Sequence, residues 1–240
     1  SAPRCFEIEK RLIDELDIPV FHDDQHGTAI IVAAGLLNAL EIQEKNFKEA
    51  KIVCAGAGSA GIATLNLLLE LGFSKDNILL VDRNGVVSIK SENLSKEKLA
   101  FAADTDKKTL SDAIDGSDVF IGVARGNLVT QEMVKSMAKR PIIFALSNPD
   151  PEISPVDVYA CRDDVLMATG RSDYPNQVNN VLGFPYIFRG ALDANSKIIN
   201  TEMKVAAVHA LKDLVKLPAP KELIEIYKDT SLTFGKDYFI

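Results

Sequence analysis

A doubly wound α/β fold, a parallel sheet with flanking helices on both faces and a C-terminal helical segment, is predicted by three observations. Short runs rich in Val, Ile, Leu and Phe alternate with segments of helical period. A glycine pattern, Gly56-x-Gly58-x-x-Gly61, lies between one such run and a helix. An acidic residue, Asp82, closes the next run about 20 residues beyond the last glycine. Together they make the expected fold Rossmann-type.

Taken in order, residues 6–16 space Phe6, Ile8, Leu12, Ile13 and Leu16 among charges, so an amphipathic helix is expected. Pro19 keeps residues 18–21 extended, and residues 21–28 read as a loop in which Thr28 caps a buried helix over 29–40. Residues 51–55 form a buried strand and 62–71 a helix closed by Gly72. Residues 77–81 are the second strand, and Arg83-Asn84-Gly85 a turn. The polar stretch 88–108 holds one helix, over 95–103. A short helix at 109–114, a strand at 118–123, a helix at 130–138 and strands at 141–146 and 165–168 follow. Helices are expected at 177–192 and 201–217. There is no internal repeat and no low-complexity linker, so residues 1–240 read as one domain.

The composition is that of a soluble globular protein, 47% apolar and 25% charged. A net charge of −7 without a basic stripe argues against nucleic-acid and anionic-membrane partners. Cys5, Cys54 and Cys161 have no CxxC spacing, and with no targeting segment in view a reducing, cytoplasmic setting is expected. No apolar run reaches the length of a membrane span.

Each part of the glycine pattern has a physical task. Gly56 permits the tight turn, Gly58 lets the backbone approach a pyrophosphate, and Gly61 allows close helix–sheet packing. The helix N-terminus offers free N–H groups to phosphate, with Ala57, Ser59 and Ala60 alongside. Asp82 suits a ribose hydroxyl and hence NAD, whereas Arg83 beside it suits the 2′-phosphate of NADP; the choice stays open.

Residues 21–30, Phe-His-Asp-Asp-Gln-His-Gly-Thr-Ala-Ile, put two carboxylates and two histidines beside an apolar helix. Buried charge is costly unless paired, so three readings compete. His22 and His26 could hold a soft metal, but four-residue spacing needs a helix, which Pro19 and Gly27 oppose. The aspartates could instead cap the following helix. Or one aspartate could ligate a hard cation, Mg²⁺ or Mn²⁺, while the other orients a catalytic group.

These stretches, with 118–123, Ala145-Leu-Ser-Asn-Pro-Asp-Pro-Glu152, residues 168–180 and residues 183–190, resemble the malic enzyme family in its short bacterial-type form, in the family's order along essentially the whole chain. The resemblance implies oxidative decarboxylation of L-malate to pyruvate and CO₂, with NAD or NADP taking the hydride. It makes Asp24 the metal ligand and Asp23 the support of the general base. Asn148 and Asn180, with Asn179 beside them, contact substrate and nicotinamide, and residues 57–60 hold the pyrophosphate. It further implies a homo-oligomer, a dimer, and a separate N-terminal catalytic domain carrying a lysine base, a tyrosine acid, a substrate arginine and a Glu-Asp ligand pair. On this reading the chain is the cofactor domain, trimmed at both ends and inactive alone. Tyr174 and Lys204 read as a loop aromatic and a solvated charge. Two alternatives are the cofactor domain of an amino-acid dehydrogenase, which needs no divalent metal, and a nucleotide-sensing module without catalysis.

Overall fold

The computed structural model describes residues 4–218, 220, 221, 224, 225 and 232–240. Helix α1 spans Arg4–Glu15 and α2 Asp23–Ile42; then come β1 (Ile52–Ala55), α3 (Ser59–Glu70), β2 (Ile78–Asp82) and β3 (Gly85–Val86). Next are α4 (Lys96–Leu99), α5 (Leu110–Ile114), β4 (Val119–Gly122), α6 (Gln131–Ser136), β5 (Ile142–Ala145), α7 (Pro155–Cys161) and β6 (Leu166–Thr169). Helices α8 (Tyr186–Asp193) and α9 (Thr201–Leu214) follow.

The strands form one sheet in the order β3-β2-β1-β4-β5-β6. All pairings are parallel except β2 with β3, a hairpin across Arg83-Asn84 that the sequence read only as a turn. Period-two alternation sorts the side chains onto two faces. Ile52, Cys54, Ile121, Ile142 and Phe144 join a core with α2, α3 and α9, while Val53, Ala55, Phe120, Ile143 and Met167 join one with α5, α6 and α7. Phe144 is fully buried and meets Phe239 edge-on at 5.9 Å; burying such a ring is worth about 1.5–3 kcal/mol. The three cysteines are free thiols, and Cys54 is wholly buried, as expected of a small core residue.

Local signals set most boundaries. Thr109 makes a capping box with Asp112, and Thr130 and Ser154 cap α6 and α7. Past α3, Gly72 at φ +91° gives its N–H to Leu69 and Phe73 gives its N–H to Leu68, closing the helix as a Schellman motif.

Three expectations fail. Helix α2 starts at Asp23 rather than after Thr28, because Asp23 and Asp24 occupy a first turn whose partial positive charge favours carboxylates. The 95–103 helix shortens to α4, capped by Ser95. The 177–192 helix is not continuous: a 3-10 turn over Asn180–Leu182 precedes α8, because Pro185 breaks the run. Helix α7 lay in a stretch for which no element was expected.

Candidate functional site

Strand β1 pairs with β2 on one side and β4 on the other, so the crossovers part above the strands' C-terminal ends. A cleft of about 1130 Å³ opens there, lined by Gly56, Ala57, Gly58, Asp82, Arg83 and Arg125 among others. Gly56 sits at φ +123°, outside the reach of ordinary side chains. A Cβ on Gly61 would lie 1.9 Å from the Gly56 carbonyl oxygen, whereas one on Gly58 would meet nothing within 4 Å among the described residues. Gly58 is also the N-cap of α3 and places no side chain over its first N–H groups. An open backbone, an uncapped twelve-residue helix and a deep cleft fit a dinucleotide's pyrophosphate.

At the β2 end, Asp82 is already engaged. Its Oδ1 accepts from the Asn84 N–H at 2.8 Å and its Oδ2 meets Lys98 Nζ at 2.5 Å. Arg83 is exposed beside it. Lys98, on α4 and sixteen residues along, carried no local signal in the sequence.

The Asp23–Asp24 pair forms the first turn of α2. Asp23 is half-buried, and its Oδ2 accepts a short hydrogen bond from Asn180 Nδ2. Its Oδ1 is buried with no hydrogen-bond partner among the described residues. Burial, reinforced by the Asp24 charge, holds the Asp23 carboxyl above its ordinary pKa against the Asn180 bond. Gly27 leaves room for this: its Cβ would stand 2.0 Å from Asp23 Oδ1. Asp24 is exposed. Among the described residues no three His, Cys, Asp or Glu side chains converge as a metal site. Asp24, exposed on this turn, is a hard oxygen donor of the kind that suits Mg²⁺ or Mn²⁺.

The histidines are committed elsewhere, and His22, the extended N-cap of α2, does not share a helix with His26 as the soft-metal reading needed. His22 Nδ1 lies 2.6 Å from Gln25 Nε2, and His26 bonds Glu9 through Nε2 at 3.1 Å and Lys204 Nζ through Nδ1 at 3.1 Å. Glu9 also accepts from the His22 N–H and from Gln25. Desolvation opposes ionisation of Glu9, but its hydrogen bonds and the nearby cations leave the carboxyl below its ordinary range. Lys204, pushed down by burial, is therefore a packed member of this cluster and not a solvated charge. Tyr174 lies under the Arg171 guanidinium at 5.7 Å.

Asn148 is exposed in the loop after β5, and Asn179 accepts from the Val181 N–H at 3.0 Å, a cap on the 3-10 turn. The structure therefore brings Asp23 and Asn180 into contact and keeps Asn148 on the β5 side. Glu152, unremarked in the sequence as a functional group, is fully buried at the roots of the loops after β4 and β5. Burial raises its carboxyl above the ordinary range, and burial together with the Glu152 charge pushes the Cys54 thiol up to about 12.

A family model described as "Malic enzyme, NAD binding domain" matches residues 25–229. The NADP-dependent malic enzyme of Halomonas elongata is 56% identical over 240 residues, covering all of this chain and 57% of that protein. The NAD-dependent malic enzyme of Rhizobium meliloti is 50% identical over 241 residues, covering all of this chain and 31% of that protein. The chain thus spans about half, or less, of the length of these relatives. The crystal structure of an NAD-dependent malic enzyme from Thermotoga maritima superposes with a TM-score of 0.80 at 44% identity, over 87% of this chain and 56% of that one. A Plasmodium falciparum glutamate dehydrogenase, at 12% identity and a TM-score of 0.51 over 87% of this chain and 47% of that one, shares the fold alone.

Proposed function

We propose that this chain, which belongs to the malic enzyme family as its NAD-binding domain, serves a protein that oxidatively decarboxylates L-malate to pyruvate and CO₂. The observation that carries the reading is the first turn of α2. An Asp23 oxygen that is buried without a partner among the described residues and an exposed Asp24 stand side by side there, on the same domain as an open pyrophosphate cradle.

The division of labour follows from the chemistry. Backbone N–H groups at Gly58 and the start of α3 hold the pyrophosphate. Asp24 supplies one ligand to a divalent cation. Bound there, a divalent cation would supply Lewis acidity toward the C2 oxygen of malate and toward the charge left by CO₂. Asn180 fixes one oxygen of Asp23, leaving the other to orient a basic side chain from outside the described residues. Asn148, with Asn179 and Asn180, offers neutral amides that orient a carboxylate and a carboxamide without adding charge. NADP is the preferred cofactor, because Asp82 is already held by Lys98 and Asn84 while Arg83 stands free to meet a 2′-phosphate. A cytoplasmic homodimer belongs to the same proposal.

The test uses the full-length protein with malate, NAD(P)⁺ and Mn²⁺. Pyruvate and NAD(P)H should form together and stop on chelation. Reduction driven by another hydroxy or amino acid, with malate ignored, would sink the proposal. Asp24→Asn should weaken Mn²⁺ binding, read by titration in the absence of substrate, at least tenfold; unchanged binding removes Asp24 from the ligand set.

A further inference from the structure

The buried carboxylate of Glu152 has no place in the chemistry above, and the fold makes room for it at two points. Its Oε1 accepts from the Ala124 N–H at 3.0 Å and its Oε2 from the Ser147 N–H at 3.1 Å. With both oxygens accepting from backbone donors, this is the bonding of a carboxylate. The side chain is 0% exposed, and among the described residues no lysine or arginine pairs with it. Gly122, the last residue of β4, lacks the Cβ that would stand 2.4 Å from the Glu152 carboxyl carbon. A glycine inside a strand marks such a close approach.

The contacts bind two loops into one body. The Glu152 carbonyl accepts from Val129 at 2.9 Å and the Pro151 carbonyl from Asn127 at 3.0 Å. Ser147 Oγ donates to the Asp150 carbonyl at 2.6 Å. Ala124 and Arg125, in the first loop, line the cleft, and Asn148 belongs to the second. The β2 side, with Arg83 exposed beside the engaged Asp82, takes the adenosine end of a dinucleotide on this reading. The other half must therefore cross the switch point between β1 and β4 toward these loops.

We infer that Glu152 is a positioning residue for the nicotinamide half of the cofactor, holding the backbones of Ala124 and Ser147 so that both loops are set before the cofactor arrives. The inference rests on the NAD(P) reading of the cleft. It also gives a reason for burying an unpaired carboxylate where an apolar side chain would cost less.

The experiment compares the full-length protein with its Glu152→Gln variant, whose amide nitrogen cannot accept the second N–H. The dissociation constant for NADP⁺ should rise at least tenfold, while that for adenosine 2′,5′-bisphosphate, which lacks the nicotinamide half, stays within twofold. Equal NADP⁺ affinity overturns the inference, and so does parallel weakening of both ligands, the mark of a merely structural defect. If the unmodified protein binds neither NAD⁺ nor NADP⁺, the cofactor reading itself falls. Should the variant fail to fold, hydrogen exchange on the unmodified protein decides: the Ala124 and Ser147 amides should be protected without cofactor, and rapid exchange there overturns the inference.

Discussion

Gly58 and Gly61, three residues apart in one loop, answer to different constraints. A methyl group at Gly61 strikes the Gly56 carbonyl at 1.9 Å, a clash with backbone that only a shift of strand or helix relieves. Gly61→Ala should therefore cost about 1–3 kcal/mol or more, seen as a lower denaturation midpoint. Gly58→Val meets no steric clash at its Cβ and should cost only about 1 kcal/mol as a poorer N-cap, yet weaken NADP⁺ binding at least tenfold. Normal binding by that variant would remove the loop from the cofactor site. The close approach at Gly61 was legible in the sequence because it follows from glycine spacing. The conformation of Asp23 and Asp24 was not legible, since Pro19 and Gly27 argued against helix. Gly27 is helical for a reason no local pattern shows, namely the carboxylate folded over it.

Between elements, charge does its work at junctions. Arg162, at the end of α7, donates to the carbonyls of Val134, Met137 and Ala138 at the end of α6 and grips Asp164 ahead of β6. The Arg162 hydrogen bonds, offset by burial and helped by the Arg140 N–H, bring the Asp164 carboxyl down to about 2. Because the folded pKa lies below the unfolded value of 3.8, this contribution is complete above about pH 4 and is lost as pH falls toward 2. Arg162→Ala should lower stability by about 2 kcal/mol at neutral pH and flatten the loss between those limits, measured by urea unfolding across pH. An unaltered acid profile would refute the junction's role. Neither this junction nor the Glu9–His26–Lys204 cluster was legible. His26 and Lys204 stand 178 residues apart, and a lysine's burial depends on what packs over it. Helix caps, by contrast, are written within four residues, and Thr109, Thr130 and Ser154 mark their helices plainly.

Across the molecule, the charge is distributed against its own total. The chain carries −7, yet the cofactor cleft gathers Arg83, Lys98, Lys108 and Arg125 against Asp82 and Glu97. An anionic dinucleotide should thus be drawn to this net cationic cleft of an acidic chain. Raising salt from about 0.05 to 0.5 M should weaken NADP⁺ more than NAD⁺, because the extra phosphate feels the screened cations. Equal salt dependence would count against Arg83 as the 2′-phosphate contact. The architecture was legible because strand and helix periods alternate cleanly, whereas the break before α8 turned on Pro185 within an otherwise helical pattern. The space beneath Asp23 also sets an order of inheritance. Alanine is the better helix former by about 1 kcal/mol, but at position 27 its methyl would push the Asp23 carboxylate out of its present place. A lineage abandoning catalysis should accordingly lose the acid at position 23 first and gain the methyl at position 27 afterwards. Reconstructed ancestors of inactive descendants would record the two changes in that sequence.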